Sequence, residues 1–316
     1  MARPQQDSAY WRKRIKAEQK YMEQATNVDE IVSIYQAAVD DIQEKIDAEY
    51  TRLDQLGLNV QNVKQVDIRH YESEAKALVA QADKIRKELG RNATRADFTK
   101  AVNDRMRIYN ATMRVNRLEY LKARTGLSLV DAGIKTIDQL NTDLQEKYVD
   151  EYKRQAGILG ETYVALSAKK VMEKVHVQIK GATFSSRIWQ NTDELKAQLD
   201  VLLTNNRLRG ESPDKLAKQL RNLVNTQFAD QAKYVTERLA RTEVTRVIGE
   251  AQKDSYRKYG IEYVKWIAEA SACDHCEDLA HGGKNGEGVY KLGHEPAYPA
   301  HPNCRCSLAG YYEPDE

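Results

Sequence analysis

Proline is almost missing from this chain. Pro4 and Pro213 bracket 208 residues without one, and the remaining four (Pro296, Pro299, Pro302 and Pro314) crowd the C-terminus. Proline breaks helix interiors, so its absence alongside abundant Ala, Glu, Lys, Gln and Leu predicts long helices. Large dry aromatics are scarce: three Phe and three Trp in 316 residues, against 18 Tyr. A tyrosine ring with a polar tip suits half-buried seams between helices better than a dry core. No run approaches the ~18 consecutive apolar residues of a membrane span, and no apolar stretch follows the first residues as a secretion signal requires. A soluble chain made in a cytoplasm, with no membrane partner, is therefore expected. The formal charge of +2 is too near balance to signal nucleic acid by itself.

The sharpest absence is cysteine, which does not occur in the first 272 residues; all four lie between Cys273 and Cys306. A disulfide framework belongs to small secreted chains, so the clustering points to a metal. Cys273-Asp-His-Cys276 is a C-x-x-C knuckle, and His301-Pro-Asn-Cys304-Arg-Cys306 follows after 24 intervening residues. Two thiolates from one tight turn and two donors from a second complete a tetrahedral zinc site. The residues leave two sets open: Cys273, Cys276, Cys304 and Cys306, or three of these thiolates plus His301. A site with four protein ligands has no open position, so the zinc is expected to be structural, a staple for a module of ~55 residues short of apolar side chains. His275, His281 and His294 also fall here. They form no H-E-x-x-H, and His294-Glu295 stands after the knuckle rather than before it, as zinc deaminases would need. They read as loop residues, and no catalytic residue is expected.

Periodicity places the helices. Residues 28–56 carry Val28, Ile31, Tyr35, Ala38, Ile42, Ile46, Tyr50, Leu53 and Leu56 at three- and four-residue steps, the stripe of an amphipathic helix packed within its own chain. Other helices are expected at 8–24 (with Ser8 as cap), 68–89, 95–124 (closed by Gly126), 134–155, 162–180, 192–203, 212–224 and 229–259. After Gly260 the pattern changes to a strand at 261–267, a Gly-rich loop with a hairpin, and a partner strand at 307–312. The fold class is thus mainly α, with a small C-terminal α+β zinc module. Three segments follow: a helical body 1–168, a helical region 169–260 and the stapled module 261–316. Trp189 and Trp266 are expected as buried anchors between body and module.

The C-terminal half resembles a known family. Arg238-Leu-Ala-Arg-Thr-Glu243, then Ala251, Tyr256, Gly260, Trp266, the Cys273-x-x-Cys276 knuckle and His301-Pro-Asn-Cys-Arg-Cys306 are similar to the phage head morphogenesis domain of minor head proteins related to the F protein of phage Mu. Phe184 to Trp189 and Gly210 to Asp214 fit the same pattern, and the likeness spans residues 169–309. The segment Glu269 to Ala272 departs from the family's usual Asp and basic residue. The resemblance implies a structural, non-enzymatic minor capsid protein inside the virion. Its partners would be the portal protein and capsid or scaffolding proteins, with a role in head assembly and DNA ejection. A zinc-dependent nuclease or toxin-like transferase on the same body, and a DNA-binding zinc protein of a host, are the competing classes.

Two further surfaces stand out. Arg95, Lys100, Arg105, Arg107, Arg114, Arg117, Lys122 and Arg124 outnumber three acids on one predicted helix and suggest phosphate contact with packaged DNA; the Arg12 to Lys16 cluster carries the same expectation. Arg241, in turn, is placed to pair with an acid of the module.

Overall fold

The computed structural model describes residues 6–55, 76, 80, 117–178, 181–205 and 213–312. Its helices are α1 (Ser8–Ala25), α2 (Asp29–Gln55), α3 (Arg117–Ile158), α4 (Ala168–Val175), α5 (Phe184–Asn205), α6 (Pro213–Leu223), α7 (Ala229–Lys258) and α8 (Asp274–Ala280). Strands β1 (Tyr263–Ile267), β2 (Val289–Lys291) and β3 (Ser307–Tyr311) complete the described elements. The chain is mainly helical with one small C-terminal sheet, as expected. Among the described residues no helix is long and apolar enough to cross a membrane.

Two compact units emerge. One comprises Glu30–Gln139 and Ser185–Thr236; the other comprises Met1–Asp29, Leu140–Phe184 and Glu237–Glu316. The three sequential segments divide the chain along its length, whereas these units interleave along it.

The first unit is a helical bundle around an apolar core. Tyr35, Ala38, Val39, Ile42, Ile46 and Tyr50 of α2 meet Leu121, Leu129 and Ala132 of α3, Leu195, Leu199 and Leu203 of α5, and Leu220 of α6. The α2 stripe through Tyr50 is buried as its period requires; the side chains of Leu53 and Leu56 lie outside the described residues. Gly126 does not close a helix: α3 runs through it to Ile158. A mid-helix glycine costs about 1 kcal/mol, and the near-complete burial of residues 127–134 outweighs that. Pro213 opens α6 at its first position, where the missing N–H is not needed. A single π-helical turn, Val224–Phe228, joins α6 to α7. Trp189 is buried beside Gly133 in this bundle rather than between body and module. Of the predicted helix 68–89, only residues 76 and 80 are described.

The second unit is held by polar as well as apolar contacts. Asp7, not Ser8, caps α1: its carboxylate accepts the Tyr10 N–H at 2.7 Å. The predicted 162–180 helix contracts to α4, where the Ser167 hydroxyl accepts the Lys170 N–H and fixes the start. Gly260 sits at φ 69°, and the Ile261 N–H reaches back to the Tyr256 carbonyl at 2.9 Å. This left-handed stop ends α7 where the sequence placed it.

The sheet order is β2-β1-β3, all antiparallel, with Tyr263 opposite both Lys291 and Tyr311. Val264, Trp266 and Leu308 bury against Tyr256 and Ile261. α1 is tied to the strands: Trp11 stacks on Tyr311 with centroids 5.8 Å apart, and the Gln19 amide donates to the Ala268 carbonyl at 2.9 Å. Side chains also bond the main chain of β3 and its extension. The Leu308 N–H donates to the Gln252 amide oxygen (3.2 Å), and the Tyr256 hydroxyl donates to the Leu308 carbonyl (3.0 Å). The Gln6 amide takes both the Gly310 carbonyl (3.0 Å) and the Tyr312 N–H (2.9 Å). Beneath lies a buried ionic network. Glu18 and Glu151 are fully buried; Arg154 bonds both, at 2.7 Å and 2.6 Å, and the Ser307 hydroxyl donates to Glu18 at 2.9 Å. The Gln252 amide donates to Glu151 at 2.8 Å, and Arg14 pairs with Glu18 at 3.0 Å.

Candidate metal centre

Two loops bring the sulfur donors together. Cys273 is the N-cap of α8 and Cys276 lies in its first turn, a short helix that the sequence pattern did not reveal. The Cys276 and Glu277 N–H groups bond the Cys273 carbonyl, so the knuckle is a wound turn with both thiols on its inner side. The second loop runs from Tyr298 to Cys306 and leads into β3. Asn303 there adopts φ 68°, and the Cys304 N–H closes the turn onto the His301 carbonyl at 3.3 Å.

The five predicted donors are all brought to one place. His301 Nε2 lies 3.3 Å from Cys273 Sγ and 3.2 Å from Cys276 Sγ, and Cys276 Sγ lies 3.9 Å from Cys304 Sγ. They form two triads, Cys273–Cys276–His301 and Cys276–Cys304–Cys306, each with its donor atoms within 4.8 Å of one another and Cys276 common to both. Zinc-to-sulfur bonds of about 2.3 Å at tetrahedral angles separate the sulfurs by about 3.8 Å, so the spacing and chemistry suit an ion. These residues can hold a metal. His301 Nδ1 sits 2.9 Å from the Pro302 carbonyl. That bond needs the proton on Nδ1 and leaves the Nε2 lone pair facing the sulfurs, the usual arrangement of a metal-binding imidazole.

The protons these donors hold without an ion are unevenly shared. Cys304 is pushed down to about 6, chiefly by its bond from Cys306, while the same bond and burial push Cys306 far up. Burial and the neighbouring Cys304 charge push Cys276 up to about 12. Exposed Cys273 is lowered by the Cys276 N–H. Burial lowers His301, but the Pro302 carbonyl and the Cys304 and Cys273 charges outweigh it and raise the group. An ion would replace those protons, so binding would release them.

The second loop is anchored on α7 by Thr242 of the Arg-Thr-Glu stretch and by Thr245 and Gly249 just beyond it. The Asn303 N–H donates to Thr242 Oγ1 at 2.8 Å, and the Thr245 hydroxyl donates to the Cys304 carbonyl at 2.7 Å. Gly249 lets the Tyr298 ring lie on the helix: a Cβ there would stand 2.1 Å from that ring. Tyr298 meets Trp266 edge-on at 5.5 Å and donates its hydroxyl to the Cys306 carbonyl. Trp266 is therefore a buried anchor inside the module. Arg305 pairs with Glu269 at 2.8 Å, so the segment that departs from the family pattern is tied to the second loop.

Arg241 does not reach the module; it pairs with Glu237 one turn back on its own helix. Glu243 instead holds Arg246 at 2.8 Å with both side chains buried, and Arg246 donates to the Lys174 (3.2 Å) and Val175 (2.8 Å) carbonyls at the end of α4. The i,i+3 spacing of this pair was the signal available in the sequence, and it is weak. His281 and His294 are exposed, as is His275. At the basic stretch, Lys122 pairs with Glu119 (2.8 Å) and Arg124 lies 5.7 Å over the Tyr120 ring, both half-buried. Arg117 begins α3. Arg95, Lys100, Arg105, Arg107 and Arg114 lie outside the described residues.

No protein-family model, curated protein or solved structure matches the chain.

Proposed function

We propose that the chain is a structural minor head protein of a tailed bacteriophage, carried inside the virion. In this reading it associates with the portal and with capsid or scaffolding proteins during head assembly and turns over no substrate. What supports it is the company kept by the residues of the resemblance. Thr242 of the Arg-Thr-Glu stretch accepts the Asn303 N–H of the His-Pro-Asn-Cys loop, Thr245 two residues beyond that stretch donates to the Cys304 carbonyl, and Tyr256 bonds the strand that follows. Motif residues scattered over about 70 positions thus form one mutually bonded body, as a shared domain requires.

In the same reading the ion is zinc with a structural role. Its ligands are Cys273, Cys276, His301 and Cys304, chosen on His301's fixed Nδ1 proton and the 3.9 Å Cys276–Cys304 spacing. Cys306 is then the buried thiol behind them. Four protein ligands close the coordination sphere and leave no position for substrate water.

The test is co-expression of a tagged chain with the portal, scaffolding and coat proteins of its genomic neighbourhood, then mass spectrometry of purified procapsids. Incorporation at a few copies per particle, lost when the portal is omitted, is the expected result. Absence from particles, or a hydrolase or transferase activity that follows metal occupancy, overturns the reading. Metal analysis should find one zinc per chain, retained in Cys306→Ser and lost in His301→Ala.

A further inference from the structure

We infer that the outer face of α1 binds the phosphate backbone of duplex DNA, beyond the structural role proposed above and independent of it. Arg12, Lys13, Lys16 and Lys20 are exposed and lie within about 100° of one another around the helix. Trp11, Arg14, Glu18 and Met22 point the opposite way, into the second unit. That side is locked by Glu18 with Arg154 and Ser307 and by Trp11 on Tyr311, so the basic side has a fixed outward aim. The sole exposed acid along α1 is Glu23, near its end.

Several helical cations elsewhere in the described residues are neutralised within their own helix, which these four are not. On the other helices Lys45, Lys135, Lys196 and Arg241 each pair with an acid four residues away, and Lys122, Lys253 and Arg257 with one three residues away. Arg12 reaches only the Ser8 hydroxyl, at 3.5 Å, and none of the four meets a carboxylate among the described residues. Arg12–Lys16 and Lys16–Lys20 are instead like-charge i,i+4 pairs, which oppose helix formation unless an anion relieves them.

The surface chemistry selects the partner. Between the cations the exposed face carries only Ala17, with no aromatic or aliphatic anchor of the kind a protein partner needs. It also has no exposed ring on which an unpaired base could stack. What remains is a rigid row of charge about 12 Å long, spanning three or four phosphates at about 3.4 Å of axial rise each. Such a surface binds without reading sequence.

The experiment is fluorescence anisotropy of the full zinc-loaded chain with a labelled mixed-sequence 30-base-pair duplex, from 50 to 200 mM salt. Four phosphate contacts predict a slope of log K against log salt near −3.6, at about 0.9 per contact. The triple variant Lys13→Gln, Lys16→Gln, Lys20→Gln should lower that slope by about 2.7 and weaken binding at least tenfold at 50 mM salt. A control triple at exposed lysines elsewhere, Lys169→Gln, Lys170→Gln, Lys218→Gln, should bind as the parent does. Equal helicity and metal content across the three proteins separates lost contact from lost fold; if the first triple misfolds, Lys16→Gln alone should still lower the slope by about 0.9. Undetectable binding by the parent overturns the inference, as does an equal loss in the control. Stronger binding of a single strand, or equal competition by polyglutamate, also overturns it.

Discussion

The two units of this molecule solve the same problem with different materials. The bundle of α2, α3, α5 and α6 buries rows of Leu, Ile, Val and Tyr, and its helices supply both the elements and the core. The second unit sets three short strands, a seven-residue helix and a Gly-rich loop against α1, α4 and the C-terminal parts of α3 and α7. Its interior mixes Trp266, Tyr256 and Leu308 with three sulfurs and the buried Glu18, Glu151 and Gln252, bridged by the half-buried Arg154. Apolar burial tolerates exchange of one side chain for another of similar volume. A sulfur cluster and a buried ionic net tolerate almost none, because each removed partner leaves a charge or donor without company. The lesson is that the two units should fail under different insults.

The largest effect expected is metal removal. Chelation, or Cys276→Ser, which takes the donor common to both triads, should strip protease protection from residues 261–312 while the bundle stays protected; limited proteolysis with mass spectrometry reads this. Equal protection of both with and without metal would erase the contrast. Next, Glu18→Ala leaves Arg14 and Arg154 facing a gap and should cost about 3–5 kcal/mol. Leu199→Ala in the bundle should cost about 2–5 kcal/mol. Denaturant melts followed by release of added metal should show early metal loss for the first variant and unchanged metal affinity for the second. Gly249→Ala drives a methyl into the Tyr298 ring and should cost about 1–3 kcal/mol, with weaker metal retention.

The smallest effect concerns pH. Burial raises the Asp254 pKa, but hydrogen bonds from Lys174 and Tyr148 outweigh it and hold the group below its usual range. A carboxylate lowered on folding stabilises above its unfolded pKa of about 3.9 and loses that contribution as pH falls towards its folded value. Asp254→Asn should therefore narrow the difference in stability between pH 6 and pH 3, read by thermal melts at the two values.

Legibility in the sequence followed the range of the forces involved. The α2 stripe, the stop at Gly260 and the strands β1 and β3 depend on neighbours a few residues apart, and the pattern named them correctly. The clustering of Cys273, Cys276, Cys304, Cys306 and His301 was legible because few other arrangements use such residues at such spacing. Gly126 misled because its cost is local while the packing of residues 127–134 is not. Arg241 and Glu243 could not be sorted from sequence: both are charged and two apart, and only burial decides that Glu243 holds Arg246 while Arg241 turns to Glu237. The docking of α1 on the sheet joins residues about 300 positions apart, and no periodicity carries such information.

β3 forms one border of its sheet, and a border strand ordinarily offers its main chain to any extended segment that drifts by. Here Gln252, Tyr256 and Gln6 have taken those positions at Leu308, Gly310 and Tyr312. A neighbouring copy finds no ladder to extend, so crowding many copies together should not seed fibrils from this side.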